Sequence, residues 1–420
     1  MHGFLGSLEW IFTTFVVAPL GKVIFANVAF WSEDTEIPLV VLWLILGAAW
    51  FTVRFQFVNF RAFRHAVDCV RGRYTDPSEA GDISHFQALS AALSATVGLG
   101  NIAGVAVAVG IGGPGAVFWM VCAGFLGMSS KFAEVTLAQR YRLVREDGVT
   151  AGGPMLYLRD GLAQLGWPAL GRSLSVIFAL MCIGGSMAGG NMFQANQSYA
   201  QFAEVFPSLD GSWGAVAFGL IMAIAVGVVI IGGIKRIGEV ASRLVPFMCI
   251  LYVVSGLLIL LMHAGELGPA LWTIVRDGFT GEAAAGGFVG VLIQGFRRAA
   301  FSNEAGCGSA PIVHSAAKTE EPVREGMVAL LEPFIDTIVV CSMSGLVLVV
   351  TDAYVQPDVS GIAMTSWAFA SVFPWFPPIL SFIAVLFAFS TMISWSYYGE
   401  QCWVRLFGFR SLLLYQLLFL

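Results

Sequence analysis

Ser94-Ala95-Thr96-Val97-Gly98-Leu99-Gly100-Asn101-Ile102-Ala103-Gly104 sits in the middle of an apolar run covering residues 88 to 110. A run of that length crosses the hydrocarbon core of a bilayer, which takes about 20 helical residues. Glycines at 98, 100 and 104, each about 1 kcal/mol worse than alanine in a helix, weaken that helix where it would lie deepest. Asn101 adds a polar amide at the same depth. Backbone groups released from a helix inside hydrocarbon need new partners, so a break there persists only where it lines a cavity or binds something. Close helix packing would explain Gly100 and Gly104, but not Thr96 and Asn101 beside them.

A second irregular stretch, Gly295-Phe296-Arg297-Arg298-Ala299-Ala300-Phe301-Ser302-Asn303-Glu304-Ala305-Gly306-Cys307-Gly308-Ser309, falls in the apolar run 285 to 308. A charge at the centre of a membrane helix costs about 2.5 to 3.5 kcal/mol. These charges must therefore pair with one another, as Arg297 or Arg298 with Glu304, or face a water-filled vestibule. For Ser302, Asn303 and the flanking glycines, a broken helix that binds solute is the stronger expectation.

The rest of the chain agrees with lipid as solvent. Hydrophobic residues make up 57% and charged residues 12%, against about 25% charged in soluble domains, so a polytopic all-α membrane protein is expected. Residues 38 to 58, 114 to 138, 173 to 200, 214 to 233, 240 to 262, 327 to 350 and 377 to 400 are further candidate spans, and another begins near Ser411. With the two irregular runs, ten spans are expected. Residues 1–37 are broken by Pro19, Gly21 and Lys22 and read as an interfacial segment. Residues 361 to 376 read as a capping or re-entrant piece, and the last core helices are expected to be truncated at Leu420.

Arginines and lysines collect in alternate loops, around Arg61 to Arg73, Arg140 to Arg172, Lys235 to Arg243, Lys318 to Arg324 and Arg405 to Arg410. The positive-inside bias puts those loops in the cytoplasm of a bacterial inner membrane and the N-terminus outside. The seven cysteines form no C-x-x-C pair. Cys307, Ser309 and His314 have no acid fixed beside them. Neither an enzyme nor a cofactor is expected, and no basic tract suggests nucleic acid.

The two irregular runs are the second and seventh spans. If spans two to six form one unit and seven to eleven another, the odd number of crossings inverts one copy relative to the other, the architecture of many secondary transporters. The expected units are a peripheral transmembrane helix at 38–58, a first repeat at 84–262 and an incomplete second repeat at 281–420.

Unpaired N–H groups at a half-helix terminus attract a carboxylate, and unpaired carbonyls attract a small cation. A zwitterionic amino acid with sodium would use both. Thr96, Gly98, Gly100 and Asn101 face this role from one break, and Phe301, Ser302 and Asn303 from the other. In the fourth span Asn191 and Gln194 share a helix face and are able to bond substrate or each other. In the ninth, Thr391 and Ser394 share another, and hydroxyls suit sodium. Trp395 is either a wall of the cavity or an interface anchor.

The stretches Thr96 to Val105, Gly112-Gly113-Pro114-Gly115-Ala116-Val117-Phe118-Trp119-Met120, Ala151-Gly152-Gly153-Pro154-Met155, Phe301 to Pro311 and Ser394-Trp395-Ser396-Tyr397-Tyr398-Gly399-Glu400 together resemble the alanine or glycine:cation symporter family. The resemblance implies a peripheral first span and the five-plus-five inverted-repeat core of the bacterial leucine:sodium symporters. It implies that Val97 to Asn101 is the unwound first core helix, that Phe301 to Asn303 lies near the break of the sixth, and that Gln194 stands on the third and Thr391 and Trp395 on the eighth. Ala300 stands where the family usually has glycine. Sodium is then expected at Ser94, Val97, Thr391 and Ser394. Whether Asn101 reaches an ion or braces the break is left open. The implied activity is sodium-coupled symport of alanine or glycine into the cell by alternating access, by a monomer in the lipid bilayer, with a proton-coupled carrier as the alternative.

Overall fold

The computed structural model describes residue 10 and residues 13–28, 36–144, 149–280, 287–357 and 359–420. Within these, the only sheet is an antiparallel pair, Leu143–Val144 with Thr150–Ala151. Everything else that is regular is helical. Of the expected interfacial segment, Thr13–Val17 and Ala18–Ile24 are helical, and the Ser32-Glu33-Asp34 run lies outside the described residues.

The helices that build the core are α1 (Leu39–Arg54), α2 (His85–Thr96), α3 (Gly100–Gly112), α4 (Gly115–Arg140), α5 (Pro168–Val205), α6 (Ser212–Ile230) and α7 (Gly233–Met262). They continue as α8 (Leu267–Thr280), α9 (Gly287–Asn303), α10 (Ala310–His314), α11 (Pro322–Val350), α12 (Ile362–Val372), α13 (Pro377–Phe407) and α14 (Leu412–Phe419). Among the described residues, six helices are long and apolar enough to cross a membrane, seven if α2 and α3, bent by 53° at their junction, are one span.

The ten expected spans each find a helix, with shorter bounds at three of them. Helix α1 stops at Arg54 after 16 residues because Gln56 and Phe57 turn left-handed. Helix α9 has 17 residues and stops at Asn303 because Glu304 does the same, with φ 55°. Helix α14 has 8. Helix α8 was not expected; its apolar residues lie on one face only, and Ala270, Ile274 and Gly278 are its buried ones.

Local sequence explains where the chain bends. Helix α2 opens on a capping box: Gln87 N donates to Ser84 Oγ at 3.2 Å, and Ser84 N donates to Gln87 Oε1 at 3.0 Å, so two exposed donors are satisfied reciprocally. Three wide, π-helical turns interrupt the core helices, at Gly100–Gly104, Ala188–Met192 and Phe334–Cys341. Such turns are rare and concentrate at functional sites. The last directly follows Pro333, which has no N–H to continue the regular ladder.

Helix α4 packs against α9, α11 and α1, while α13 packs against α5, α2 and α7. The two broken helices are thus held between two helix groups, with α1 against α4.

The end of α2 nearest the arginine-rich loops is fastened by charge. His85 is bonded to Glu325, whose other oxygen meets His314 Nδ1 at 2.5 Å; His314 Nε2 lies 3.8 Å from Glu332, and Lys131 Nζ binds Glu332 at 3.0 Å. All five side chains are at most 1% exposed. They connect α2, α4, α10 and α11. Arg142 adds a clamp, donating to the carbonyls of Ala80, Ser315, Ala317 and Thr319. The half-helices on this side of the two breaks, α2 before the first and α10 after the second, are therefore one piece.

Removing one partner of a buried ion pair costs about 3 to 5 kcal/mol, because the other charge is left unpaired in low dielectric. Lys131→Met is expected to destabilise the protein by that order, seen as a lower melting temperature in detergent, and Lys131→Met with Glu332→Gln to recover a good part of it. A single variant as stable as wild type would show that the chain of charges does not hold these helices.

Candidate functional site

At the first break the backbone leaves the helix at Val97, whose ψ is 95°. Asn101 spans the gap: its Oδ1 accepts from Gly98 N at 2.8 Å, satisfying one donor that the helix has lost. Its Nδ2 lies 2.6 Å from Asp336 Oδ1, 3.1 Å from the Asp336 carbonyl and 3.1 Å from Ser302 Oγ. One amide therefore ties the first break to the second and both to the π-helical turn of α11.

At the second break Ser302 Oγ donates to Asp336 Oδ2 at 2.9 Å, and Thr337 Oγ1 donates to the same oxygen at 2.7 Å. Asn303 Nδ2 donates to Thr337 Oγ1 at 2.9 Å, while its Oδ1 takes Ala305 N at 3.0 Å. The chain then turns through Glu304, Gly306 and Gly308, all at positive φ. The expected pairing of Arg297 or Arg298 with Glu304 does not form. The left-handed turn carries Glu304 past the helix end, where it accepts from Ser309, and Arg298 faces an open cavity instead.

Around Gly98 the arrangement is of a different kind. A Cβ on Gly98 would stand 2.7 Å from Thr391 Oγ1 and 3.8 Å from Gln194 Oε1. Both oxygens are buried without a hydrogen-bond partner, and so is Ser394 Oγ, one helical turn from Thr391. Ser94 Oγ donates to the Ser390 carbonyl at 2.5 Å, and Ser390 Oγ returns a bond to the Ser94 carbonyl at 3.4 Å. Unpaired buried oxygens cost free energy, so their convergence on an unwound backbone suits a small hard cation, which takes oxygen ligands.

The remaining candidates divide. Thr96 donates its hydroxyl proton back to the Ala92 carbonyl at 3.3 Å, which leaves its oxygen as an acceptor only. Gly100 faces Phe301: a Cβ there would lie 3.6 Å from the ring. Asn191 is not beside Gln194 in function, since its amide reaches the Phe419 carbonyl on α14. Trp395 packs on a glycine seat in α5, where a Cβ on Gly190 would overlap it at 2.4 Å and one on Gly185 would touch it at 3.4 Å. It shares a face of α13 with Thr391.

The residue missed from sequence is Asp336. It is fully buried and its carboxylate is held by neutral donors from α3, α9 and its own turn. Its signal was an acid inside an apolar span, four residues after Glu332, the same kind of signal that marked residues 295 to 309. Asp336→Leu would strand the Asn101, Ser302 and Thr337 donors at about 1 to 3 kcal/mol each. A melting temperature well below wild type is expected, with Asp336→Asn closer to it; an unchanged temperature for Asp336→Leu would show that the breaks are held by other contacts.

Known proteins align with this arrangement. The profile of the sodium:alanine symporter family matches residues 22–420. The chain is 42% identical over 384 residues to the sodium/alanine symporter AgcS of Methanococcus maripaludis, covering 90% of this chain and 83% of that protein. It is 34% identical over 379 residues to the probable sodium/glutamine symporter GlnT of Bacillus subtilis, covering 89% and 75%. The structure of MhsT in complex with L-phenylalanine superposes with a TM-score of 0.55 at 17% identity, over 81% of this chain and 79% of that one, which is a likeness of fold.

Proposed function

This chain belongs to the sodium:alanine symporter family, a family of transporters for amino acids, and from that premise we propose that it moves a small neutral amino acid, alanine or glycine, into the cell together with sodium by alternating access. The observation that carries the sodium half is the pair of unpartnered buried oxygens of Thr391 and Gln194 beside the unwound backbone at Gly98, with the unpartnered Ser394 hydroxyl one helical turn from Thr391. Sodium is placed with Thr391 and Ser394 and the carbonyls of Ser94 and Val97. The substrate carboxylate is placed at the backbone N–H groups around Gly98 and Gly100, with Phe301, Ser302 and Asn303 across from it. Asn101 braces the break between them.

All these groups come from one chain, so a single protomer holds the whole site. The repeats proposed for it are residues 84–262 and 281–420, with the arginine-rich loops in the cytoplasm of a prokaryotic plasma membrane and the N-terminus outside. The cavity that reaches Gly100 and Phe301 lies towards the Gly112 end of α3, away from the arginine-rich end of α4. The other side is closed by the Arg142 clamp and the His85–Glu325 contact. With the proposed orientation, this arrangement supports an outward-facing state of an alternating-access cycle.

A second reading has one observation in its favour. Asp336 is a buried acid with neutral donors only, and such a group is able to carry a proton through the cycle as well as to offset a sodium charge. Proteoliposomes given a sodium gradient, and separately a proton gradient, distinguish the two: alanine accumulation is expected with the first alone. Thr391→Ala is expected to raise the half-saturating sodium concentration about tenfold, equivalent to about 1.4 kcal/mol. Uptake driven by protons alone, or sodium dependence unmoved by Thr391→Ala, would reject the sodium assignment.

Size selection gives a further check. A methylene of mismatch in a closed apolar pocket is worth about 1 to 3 kcal/mol, roughly 10- to 200-fold. If Trp395 on its glycine seat limits the pocket, Trp395→Ala will raise leucine competition relative to alanine in a binding assay. An unchanged order of glycine, alanine, serine, valine and leucine would make Trp395 a packing residue.

A further inference from the structure

Arg298 stands three residues before Phe301 on α9, so the two share a face. Both line a cavity of ≈490 Å³ with Gly100, Phe193, Gln197 and Gly361. That volume is in the range of small-molecule pockets, about 300 to 1,000 Å³. Phe301 is 51% exposed, and its ring lies edge-on to Phe193 with centroids 6.2 Å apart. The floor of the cavity is where Gly100 approaches Phe301.

No acidic side chain is among the described residues lining this cavity. Arg298 Nε is buried and has no hydrogen-bond partner. The neighbouring Arg297 is turned elsewhere, over the ring of Phe25 at 5.4 Å. A guanidinium held within a membrane span without a counter-charge is costly, and its planar fork matches a carboxylate through two parallel hydrogen bonds. The other polar side chain on the cavity is Gln197, whose Nε2 donates to Asn196 Oδ1 at 3.0 Å. Its carbonyl is an acceptor suited to an ammonium.

We propose that this cavity is a docking site for the incoming amino acid, with Arg298 binding its carboxylate and Gln197 its ammonium, before Phe301 lets it pass to the break at Gly100. The proposal rests on the amino-acid transport reading above and adds a binding step to it. Arg298 contributes to capture: its guanidinium fork holds the carboxylate of the zwitterion at the mouth of the site. A lipid phosphate has the same pairing chemistry, so competitors must separate the two.

The test compares initial rates of sodium-driven alanine uptake by reconstituted wild type, Arg298→Gln and Arg298→Lys. Loss of an electrostatic capture site lowers association about tenfold or more. Arg298→Gln is expected to raise half-saturating alanine about tenfold with the maximal rate within about twofold of wild type. Arg298→Lys, which keeps charge but loses the fork, is expected between them. N-acetylalanine, which has the carboxylate and lacks the ammonium, should inhibit wild type and lose most of its effect on Arg298→Gln, while inorganic phosphate should leave both unaffected.

Wild-type half-saturation in Arg298→Gln, equal inhibition of both proteins by N-acetylalanine, or phosphate acting as N-acetylalanine does, would each overturn the docking site. If Arg298→Gln fails to insert, Arg298→Lys carries the same comparison, and its identity with wild type in half-saturation and inhibition is the overturning result. Absence of sodium-driven uptake by wild type would instead reject the transport reading, so the two failures are distinguishable.

Discussion

Every backbone N–H and C=O freed by a helix break in hydrocarbon must be satisfied from within the protein, and the rest of this molecule is arranged around that constraint. Asn101 meets part of it at the first break. Its carbonyl oxygen takes the Gly98 amide and its NH2 reaches Asp336 and Ser302. A neutral amide is well suited here because it carries donors and an acceptor on one side chain without the desolvation cost of a charge. Asp336 then accepts what Asn101, Ser302 and Thr337 donate, so the second break depends on the same node as the first.

The contrast with the Gly98 side is what separates structure from function. On the Asp336 side every donor has its acceptor. On the Thr391 side the oxygens of Thr391, Ser394 and Gln194 are buried and unpaired. Native interiors satisfy most buried polar atoms, so a group of exceptions at one point calls for a ligand. The bond between Ser94 and Ser390 holds α2 and α13 at that point, which keeps the oxygens together. A cation at Gly98 would lie between α2 and α13, and on the proposed function its binding would bias how those two helices sit, which is how an ion couples to a conformational change.

Much of this was legible in the residues. Gly98, Gly100 and Asn101 announced the first break, and Phe301 to Asn303 the second, because close packing explains glycines at that depth but not the polar side chains beside them. Thr391 and Ser394 were singled out by helical spacing, and the structure leaves both hydroxyls buried without a partner. Other features were hidden for physical reasons. Asp336, Lys131, Glu332 and Glu325 come from separate stretches of α4 and α11, and which of them meet is decided by tertiary packing, not by local spacing. The expected bond between Glu304 and the arginines assumed a continuous helix, and a left-handed residue at 304 sends the carboxyl to Ser309. Asn191 and Gln194 share a helix face by spacing, yet α14 captures the first and leaves the second at the site. Helix α8 is apolar along one face only, so a search for continuous apolar runs passes over it.

On the proposed function, sodium and amino acid at one break bind as linked ligands, each raising the affinity of the other by the same factor. The most direct measurement is calorimetric titration of alanine into the purified protein at a series of sodium concentrations, with potassium keeping ionic strength constant. The account predicts that alanine affinity rises steadily as sodium replaces potassium, and that sodium affinity rises reciprocally when alanine is present. Alanine affinity that stays the same with and without sodium would contradict it.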